Sequence, residues 1–215
     1  MTSSSRRRET LSLRLQKLRD LQRETEVIWD IGCDHGLLGT SFENEPHIKE
    51  INLVDPSLEV VAKLKDSYIS NTKIKVINKK GQELSLGRGS KTIFIAGMGG
   101  KEIGEIIRSL LPELTPLDQL IISPHRKILE LREFLSSTSL GCFHEDLVYE
   151  GGQYYQILGL SLRDDLPKVS LYGDLLWQSK DGPAYREHQV KFFSLHKDED
   201  SVRYVEHLRG LKCRR

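Results

Sequence analysis

The sequence predicts an α/β protein with a doubly wound, mostly parallel sheet. Three observations support this: five short apolar runs alternate with helical patterns, two strand-like runs without a helix between them follow, and the composition of the 215 residues is that of a globular protein, with 38% hydrophobic and 29% charged residues. The five apolar runs are predicted as strands over 27–31, 51–54, 74–77, 92–96 and 120–123.

Helical patterns separate these strands. Apolar residues recur three or four positions apart over 58–68, 101–111 and 128–136. Ahead of the first strand, Leu11, Leu15 and Leu18 recur at the same spacing, so we expect an amphipathic helix that packs its leucine face on the domain. Because crossovers between parallel strands are right-handed, the alternation predicts helices on both faces of one sheet.

The rhythm changes after residue 140. Two strand-like runs, 142–149 and 154–162, are joined by Glu150-Gly151-Gly152, which leaves no room for a helix and favours a hairpin. Five parallel strands followed by an antiparallel hairpin is the element order of the Rossmann-like methyltransferases that use S-adenosylmethionine, whereas dinucleotide dehydrogenases continue with helix-separated parallel strands. We therefore expect a domain of this kind over residues 1–165, with the leading helix included.

Residues 166–215 are predicted as a short helical appendage. Helical stretches over 184–196 and 201–211 are set off by Asp181-Gly182-Pro183 and by the acidic run at 198–200.

Other classes of protein are disfavoured by the composition. No stretch approaches the roughly 18 consecutive apolar residues that a membrane helix needs, and residues 1–8 are polar and basic with no apolar segment behind them, so we expect a cytoplasmic protein. The three cysteines, Cys33, Cys142 and Cys213, are far apart and form no CxxC pair, so neither a disulfide framework nor a metal site is predicted.

The net charge of +1 hides an asymmetry between the ends and the middle of the chain. Residues 1–23 hold seven basic and two acidic side chains, and residues 203–215 hold five and one, so residues 24–202 carry −8. Two explanations remain for the basic ends: they contact an anionic polymer, or they only increase the solubility of the protein.

The loop after the first strand is the first candidate site. In Asp30-Ile31-Gly32-Cys33-Asp34-His35-Gly36 an acidic residue lies near the end of the strand, and two glycines bracket the turn into the next helix. Glycine permits close approach of a ligand to the backbone, although Gly32 and Gly36 could equally serve a tight turn. Asp34 stands where the methyltransferase loop commonly has its middle glycine.

The ends of the second and fourth strands add further candidates. Asp55, 23 residues after Gly32, stands where an acidic residue accepts hydrogen bonds from ribose hydroxyls in such folds, or it caps the next helix, for which Ser57 is an equally good cap. The loop Gly97-Met98-Gly99-Gly100 would let a flat base or the methionine part of the cofactor lie against the main chain; an irregular turn is the alternative.

On these motifs the sequence resembles the TrmK family of bacterial tRNA adenine-N1 methyltransferases, which modify adenosine 22 of tRNA. The likeness covers about residues 11–165. The matching segments are Leu11-Ser12 with Arg14-Leu15, Asp30-Ile31-Gly32-Cys33-Asp34-His35, Ile95-Ala96-Gly97-Met98-Gly99-Gly100, Leu120-Ile121-Ile122 with Pro124, Leu131-Arg132-Glu133 with Leu135, and Gly152-Gln153-Tyr154-Tyr155-Gln156-Ile157-Leu158.

The resemblance implies roles for individual residues. The S-adenosylmethionine contacts would be Asp30, Gly32, Gly36, Asp55, Gly97 and Met98. The substrate contacts would be Arg14, Gly99 and Gly100. Asp34 becomes the candidate catalytic or base-orienting carboxylate with His35 as its helper, whereas the ordinary interpretation is a helix-capping turn residue beside a surface histidine.

The resemblance also implies tRNA as the partner of a protein that we expect to be monomeric. Candidate phosphate contacts are Arg6, Arg7, Arg8, Arg14, Arg209, Lys212, Arg214 and Arg215.

Three departures from the family pattern concern the cofactor and acceptor sites. Lys79-Lys80-Gly81 replaces a Gly-Asp-Gly whose aspartate lies near the adenine amino group, so Gln82 or Glu83 would have to substitute. Ser123-Pro124-His125 replaces a glutamine-proline step, and the C-terminal arm is short. A methyltransferase with another substrate and a non-catalytic RNA-binding relative therefore remain as alternatives, whereas the GxxxG spacing and the hairpin disfavour a hydride-transfer enzyme.

Overall fold

A seven-stranded sheet forms the centre of the computed structural model, which describes residues 10–211. The strands are β1 (Val27–Ile31), β2 (Glu50–Asp55), β3 (Ile74–Asn78), β4 (Lys91–Ala96), β5 (Gln119–Ser123), β6 (Gly141–Glu150) and β7 (Gln153–Ser161). Their order is β3-β2-β1-β4-β5-β7-β6, with β1 to β5 parallel and β7 antiparallel to both its neighbours. The predicted five parallel strands and terminal hairpin are thus confirmed.

Seven α-helices lie in the described part of the chain: α1 (Leu13–Asp20), α2 (Leu37–Thr40), α3 (Leu58–Tyr68), α4 (Gly100–Leu110), α5 (Ile128–Ser136), α6 (Gly182–Phe193) and α7 (Glu199–Gly210). The sequence predicts a helix after Gly36 but gives no bounds for α2, because four residues are too few to show a helical period. Ser12, Ser57 and Asp198 accept hydrogen bonds from the backbone N–H groups of α1, α3 and α7 and so define where these helices begin.

The central strands are buried on both faces. Along β4, Ile93 and Ile95 belong to the hydrophobic cluster on one face, whereas Phe94 belongs to the cluster on the other. Side chains alternate between the faces of a strand, so a continuous apolar run is what a doubly covered strand requires. The leading helix contributes Leu18, which is fully buried in the second cluster, as predicted for its leucine face.

The parallel register brings the candidate loops together. Ile31 is level with Val54 of β2 and with Ile95 of β4, so the three strands end at the same edge of the sheet. β1 lies between β2 and β4. From β1 the chain adds β2 and β3 on one side of the sheet and then returns to add β4 and β5 on the other side, so the strand order reverses at β1. Ligands bind at this kind of edge in open α/β sheets.

The C-terminal helices begin earlier than predicted. Pro183 lies in the first turn of α6, and the acidic residues Glu199 and Asp200, expected to separate the helices, form the first turn of α7, where carboxylates are favoured by the helix dipole. Leu147 of β6 packs with Leu176 and Tyr185. The division of the chain at residue 165 stays a prediction.

Several sequence predictions fall outside residues 10–211. These concern Arg6, Arg7, Arg8, Lys212, Cys213, Arg214 and Arg215. Cys33 and Cys142 are free and buried. Within the described residues no helix is long and apolar enough to cross a membrane, and no three His, Cys, Asp or Glu side chains are grouped to hold a metal ion.

Candidate active site

Two adjoining cavities, of about 470 and 380 Å³, lie at the carboxyl edge of β1, β2 and β4. Both are lined by Gly32 and Met98. The larger cavity is also lined by Ile31, Pro56, Lys79, Lys80, Gly81, Gln82, Gly99, Lys101, Glu102, Glu105, Ile106, Arg126 and Lys127. The smaller is also lined by Arg14, Leu15, Asp30, Cys33, Asp34, His35, Leu37, Leu38, Ala96, Gly97 and His125. Six predicted site residues outside the shared pair thus line one cavity or the other.

Gly32 lies where the two cavities meet. Its φ of +72° is a left-handed conformation that glycine adopts without steric cost, and its N–H donates to the Val54 carbonyl at 2.8 Å. A Cβ atom added to Gly32 would lie 2.0 Å from Cε of Met98. The terminal methyl group of Met98 therefore packs directly on the Gly32 backbone, and these two residues line both cavities.

Asp30 supplies a buried carboxylate to the smaller cavity. Only 6% of the residue is exposed, and Oδ2 accepts a hydrogen bond from the backbone N–H of Gly39 at 2.8 Å. Burial raises the pKa of Asp30 to about 6, with a further rise from neighbouring Asp55 and an opposing effect of the Gly39 N–H. Such a carboxylate favours a cationic ligand group.

Asp55 lies at the end of β2 and is also nearly buried. Oδ1 accepts from the N–H of Ser57 at 2.9 Å, and Oδ2 accepts from the N–H of Asp34 at 3.2 Å. Ser57 caps α3 through its Oγ, which accepts from Val60 at 3.4 Å. Asp55 lines neither cavity. Each of its oxygens already accepts one hydrogen bond from the backbone, so a contact with ribose would use the remaining lone pairs. The ribose contact stays a prediction.

Asp34 and His35 are exposed at the smaller cavity. Asp34 has φ +48°, which aspartate tolerates better than most residues, and its Oδ2 lies 3.6 Å from Nε2 of His35. Gly36 occupies the N-cap position of α2, so Asp34 is not the cap of that helix. With 72% of its side chain exposed, the Asp34 carboxylate is accessible to a substrate.

Two predicted glycine contacts have a packing role. A Cβ atom on Gly36, whose φ is +68°, would lie 3.1 Å from both Leu53 and Leu64. A Cβ atom on Gly100 would lie 2.2 Å from the Lys127 carbonyl, and the Gly100 N–H donates to Arg126 at 2.8 Å. Neither glycine lines a cavity, so the structure gives each a reason for being glycine other than ligand contact.

The loop after β3 places the two candidate substitutes for the missing aspartate differently. Gln82 lines the larger cavity, whereas Glu83 turns its carboxylate back to accept from the backbone N–H of Lys80 at 3.3 Å. The surrounding cations Lys79, Lys80 and Lys101 make this cavity basic. Gln82 is therefore the better candidate for a polar contact there.

Tyr155 is a residue that sequence reasoning missed. Its ring lies 5.3 Å from that of His125 and 4.6 Å beneath the guanidinium of Arg14. These residues come from β7, the loop after β5 and α1, so no local spacing in the sequence signals their contact.

A family model described as a methyltransferase domain matches residues 11–158, which is more than half of the chain. The chain belongs to this methyltransferase family. The match ends in β7 and includes all three strand ends that form the two cavities.

Relatives of this methyltransferase are similar over most of the same region. A tRNA (adenine(22)-N(1))-methyltransferase of Bacillus subtilis is 30% identical over 152 residues, which is 69% of this chain and 63% of the relative. A Mycoplasma pneumoniae protein provisionally named as a tRNA methyltransferase is 31% identical over 143 residues, 65% of each chain. The matched region thus spans less than two thirds of these relatives. The resemblance to TrmK-type proteins is confirmed.

The methyltransferase also resembles solved structures in fold. The structure of M. capricolum TrmK in complex with S-adenosylhomocysteine has a TM-score of 0.71 and 19% identity, and the match covers 94% of each chain. A match of that length includes part of residues 166–215, so the likeness in fold extends beyond the region that the family model matches.

Proposed function

We propose that this methyltransferase transfers the methyl group of S-adenosylmethionine to N1 of an adenosine in tRNA. The proposed adenosine is at position 22, the position in the name of the Bacillus subtilis relative. One observation carries the proposal: the cavity that holds buried Asp30 and the Gly32–Met98 contact also presents the exposed Asp34 carboxylate. The smaller cavity therefore has Asp30 for a cationic methyl donor and, beside it, Asp34 to accept a hydrogen bond from a base amino group.

The described residues fit the cofactor. It supplies an electrophilic methyl group on a sulfonium. Asp30 would attract its positively charged groups, the backbone at Gly32 and Gly97 would lie along it, and Met98 would move from Gly32 to admit it. Gln82 would meet its adenine end in the larger cavity, and Asp55 would accept from its ribose.

Asp34 would orient the acceptor base. N1 of adenine has an in-plane lone pair, so the enzyme needs to align it with the methyl group more than to activate it, and alignment alone supplies roughly 7–11 kcal/mol in favourable cases. The Asp34 carboxylate accepts a hydrogen bond from the exocyclic N6 amino group and favours the positive charge that develops when N1 is methylated. His35, 3.6 Å away, would hold this carboxylate.

The remaining parts of the proposal concern the partner. Folded tRNA must expose the base to this cavity. Arg14 and Arg209 are described candidates for phosphate contacts, and Gly99, which lines the larger cavity, is a substrate-side candidate, whereas Gly100 lines neither cavity. We propose that the protein acts as a monomer in the cytoplasm, where tRNA is found.

The experiment is to incubate the protein with unmodified tRNA transcripts and labelled S-adenosylmethionine, digest the RNA and identify the product nucleoside by mass. We expect N1-methyladenosine, and we expect it to disappear from a transcript in which adenosine 22 is replaced by guanosine. Methylation of another atom or of a different position would favour the other-substrate alternative. Absence of any calorimetric signal with S-adenosylhomocysteine would favour the non-catalytic RNA-binding alternative.

A further inference from the structure

Arg14, His125 and Tyr155 form a contact triad at the smaller cavity. Nη1 of Arg14 and Nε2 of His125 are 2.7 Å apart, and the guanidinium carbon of Arg14 lies 4.6 Å from the centre of the Tyr155 ring. The rings of His125 and Tyr155 are 5.3 Å apart. Arg14 is thus held by a hydrogen bond in one direction and by a cation–π contact in another.

The triad leaves Arg14 with unused hydrogen-bonding capacity. A guanidinium has five N–H donors, and the contact with His125 uses one of them. Nε of Arg14 is buried and has no hydrogen-bond partner among residues 10–211. A buried donor without a partner is costly unless a ligand satisfies it. Arg14 and His125 both line the cavity that contains Asp34.

His125 accepts the hydrogen bond from Arg14 because arginine has only donors. Nε2 is therefore unprotonated, and the ring is neutral. Burial, together with the charges of Arg14 and Arg126, lowers the pKa of His125, which agrees with this role. The backbone N–H of His125 donates to the Met98 carbonyl at 2.9 Å, which fixes the histidine beside the loop after β4.

We infer that His125 and Tyr155 are positioning residues that hold the Arg14 guanidinium so that its remaining N–H groups bind a phosphate of the tRNA acceptor nucleotide. This inference rests on the proposed function. Nothing in the family resemblance gave either residue a role, and His125 lies in a segment where this chain departs from the family pattern.

A phosphate fits Arg14 better than the acceptor base does. Methylation at N1 makes the base positively charged, so a cation against the ring would oppose the reaction that Asp34 favours. Arginine and phosphate form paired hydrogen bonds, and neutralisation of the guanidinium removes the unfavourable charge from the cavity. A neutral His125 likewise adds no positive charge beside the product.

The test of His125 compares three substitutions. Glutamine can place an amide oxygen near the position of Nε2, asparagine is too short to do so, and alanine removes the acceptor. We measure the Kd for tRNA at saturating S-adenosylhomocysteine. His125→Ala and His125→Asn should weaken tRNA binding about tenfold, the scale of one lost hydrogen bond to a charged group, and His125→Gln should restore most of it. Affinity for S-adenosylhomocysteine should be unchanged, and every variant should remain folded at the assay temperature.

Tyr155 is tested by a matched pair. Tyr155→Phe keeps the ring under Arg14 and should bind tRNA as the unmodified protein does, whereas Tyr155→Leu should weaken binding several-fold. Equal affinities for all His125 variants, or for the two Tyr155 variants, would overturn the inference.

The phosphate is tested by salt dependence. Arg14→Gln should reduce the slope of log Kd against log salt by about 0.7–0.9, the value for one lost phosphate contact. A variant with lower kcat and an unchanged slope would place Arg14 on the base and refute the inference. If the unsubstituted protein methylates tRNA while these variants behave like it, only this inference fails; if it methylates no tRNA, the proposed function fails.

Discussion

The backbone N–H of Asp34 donates a hydrogen bond to Oδ2 of Asp55 across 3.2 Å. This contact joins the loop after β1 to the end of β2, and it holds Asp34 in a left-handed conformation that a non-glycine residue adopts only when its surroundings favour it. The residue predicted to contact the ribose thus also fixes the residue predicted to orient the base.

The first prediction concerns Asp55. Asp55→Asn keeps a carbonyl oxygen for one backbone donor but loses the negative charge, so we expect S-adenosylhomocysteine to bind about 10- to 100-fold more weakly in calorimetry. Ser57→Ala is the matched control: it removes the cap of α3 and should cost about 1 kcal/mol of stability without changing cofactor affinity. Equal affinities for Asp55→Asn and the unsubstituted protein would contradict the ribose contact.

The second prediction concerns Asp34, and its backbone conformation determines the substitution. Alanine at φ +48° would add strain of about 1–2 kcal/mol, which would obscure the loss of the carboxylate. Asp34→Gly removes the side chain and fits the backbone. We expect it to bind S-adenosylhomocysteine normally and to lose most of its methylation of tRNA, measured as kcat.

Asp34→Asn completes this experiment, because it keeps the shape and an acceptor oxygen but not the charge. We expect an intermediate rate, since orientation of the base would be partly retained while stabilisation of its developing positive charge would be lost. Turnover by the glycine variant at the rate of the unsubstituted protein would show that Asp34 has no part in the reaction.

The sheet could be predicted from sequence because each part of it has a local signal. The apolar run of β4 lies between Gly89 and Gly97, and such a run identifies a strand that is buried on both faces without knowledge of its neighbours in the sheet. The Gly151-Gly152 turn identifies the hairpin. α2 has a weaker signal: Gly36 marks the turn before it, but its four residues, Leu37–Thr40, are too few to show a helical period.

The site was only partly predictable. Asp30, Asp34 and Gly32 are close in sequence and line the same cavity, so strand-end reasoning was enough to group them. Arg14 and His125 are 111 positions apart, and their contact depends on how α1 packs against the sheet. Likewise, no periodicity distinguishes Gly100, which packs against a backbone carbonyl, from Gly99, which lines a cavity.

The third prediction is a pH dependence caused by Asp30. Burial raises its pKa from 3.8 to about 6, so the folded state binds the proton more tightly than the unfolded state does. Below pH 3.8 the carboxyl is protonated in both states, so its burial does not lower the free energy of unfolding. As the pH rises to about 6, the unfolded state loses this proton before the folded state does, and the free energy of unfolding falls by about 3 kcal/mol. Asp30→Asn should therefore be more stable than the unsubstituted protein at pH 7.

The measurement is denaturant unfolding of both proteins between pH 4 and pH 8. The difference in unfolding free energy should increase from pH 4 to pH 6 and stay constant above, because asparagine still accepts from Gly39 but does not titrate. We expect the more stable variant to bind S-adenosylhomocysteine more weakly, since it lacks the charge that faces the cationic groups of the cofactor. A pH-independent difference would mean that Asp30 is not the titrating group.

The last prediction concerns Arg132, which ties residues 166–215 to the sheet. Its side chain is fully buried and donates to Gln156 at 3.0 and 2.8 Å, to Glu145 at 2.7 Å and to the Ser170 carbonyl at 2.9 Å. Gln156 in turn donates to the hydroxyl of Tyr185 in α6 at 2.8 Å. Arg132→Met should cost about 3–5 kcal/mol in denaturant unfolding, because it leaves Glu145 buried without a cation.

The double variant Arg132→Met with Glu145→Gln separates that unpaired charge from lost packing. We expect it to be more stable than Arg132→Met alone, because the second substitution removes the buried charge that the first leaves behind. If the two substitutions were simply additive, the ion pair would have no coupling energy, and the C-terminal helices would have to be held by the apolar contacts of Leu147, Leu176 and Tyr185 instead.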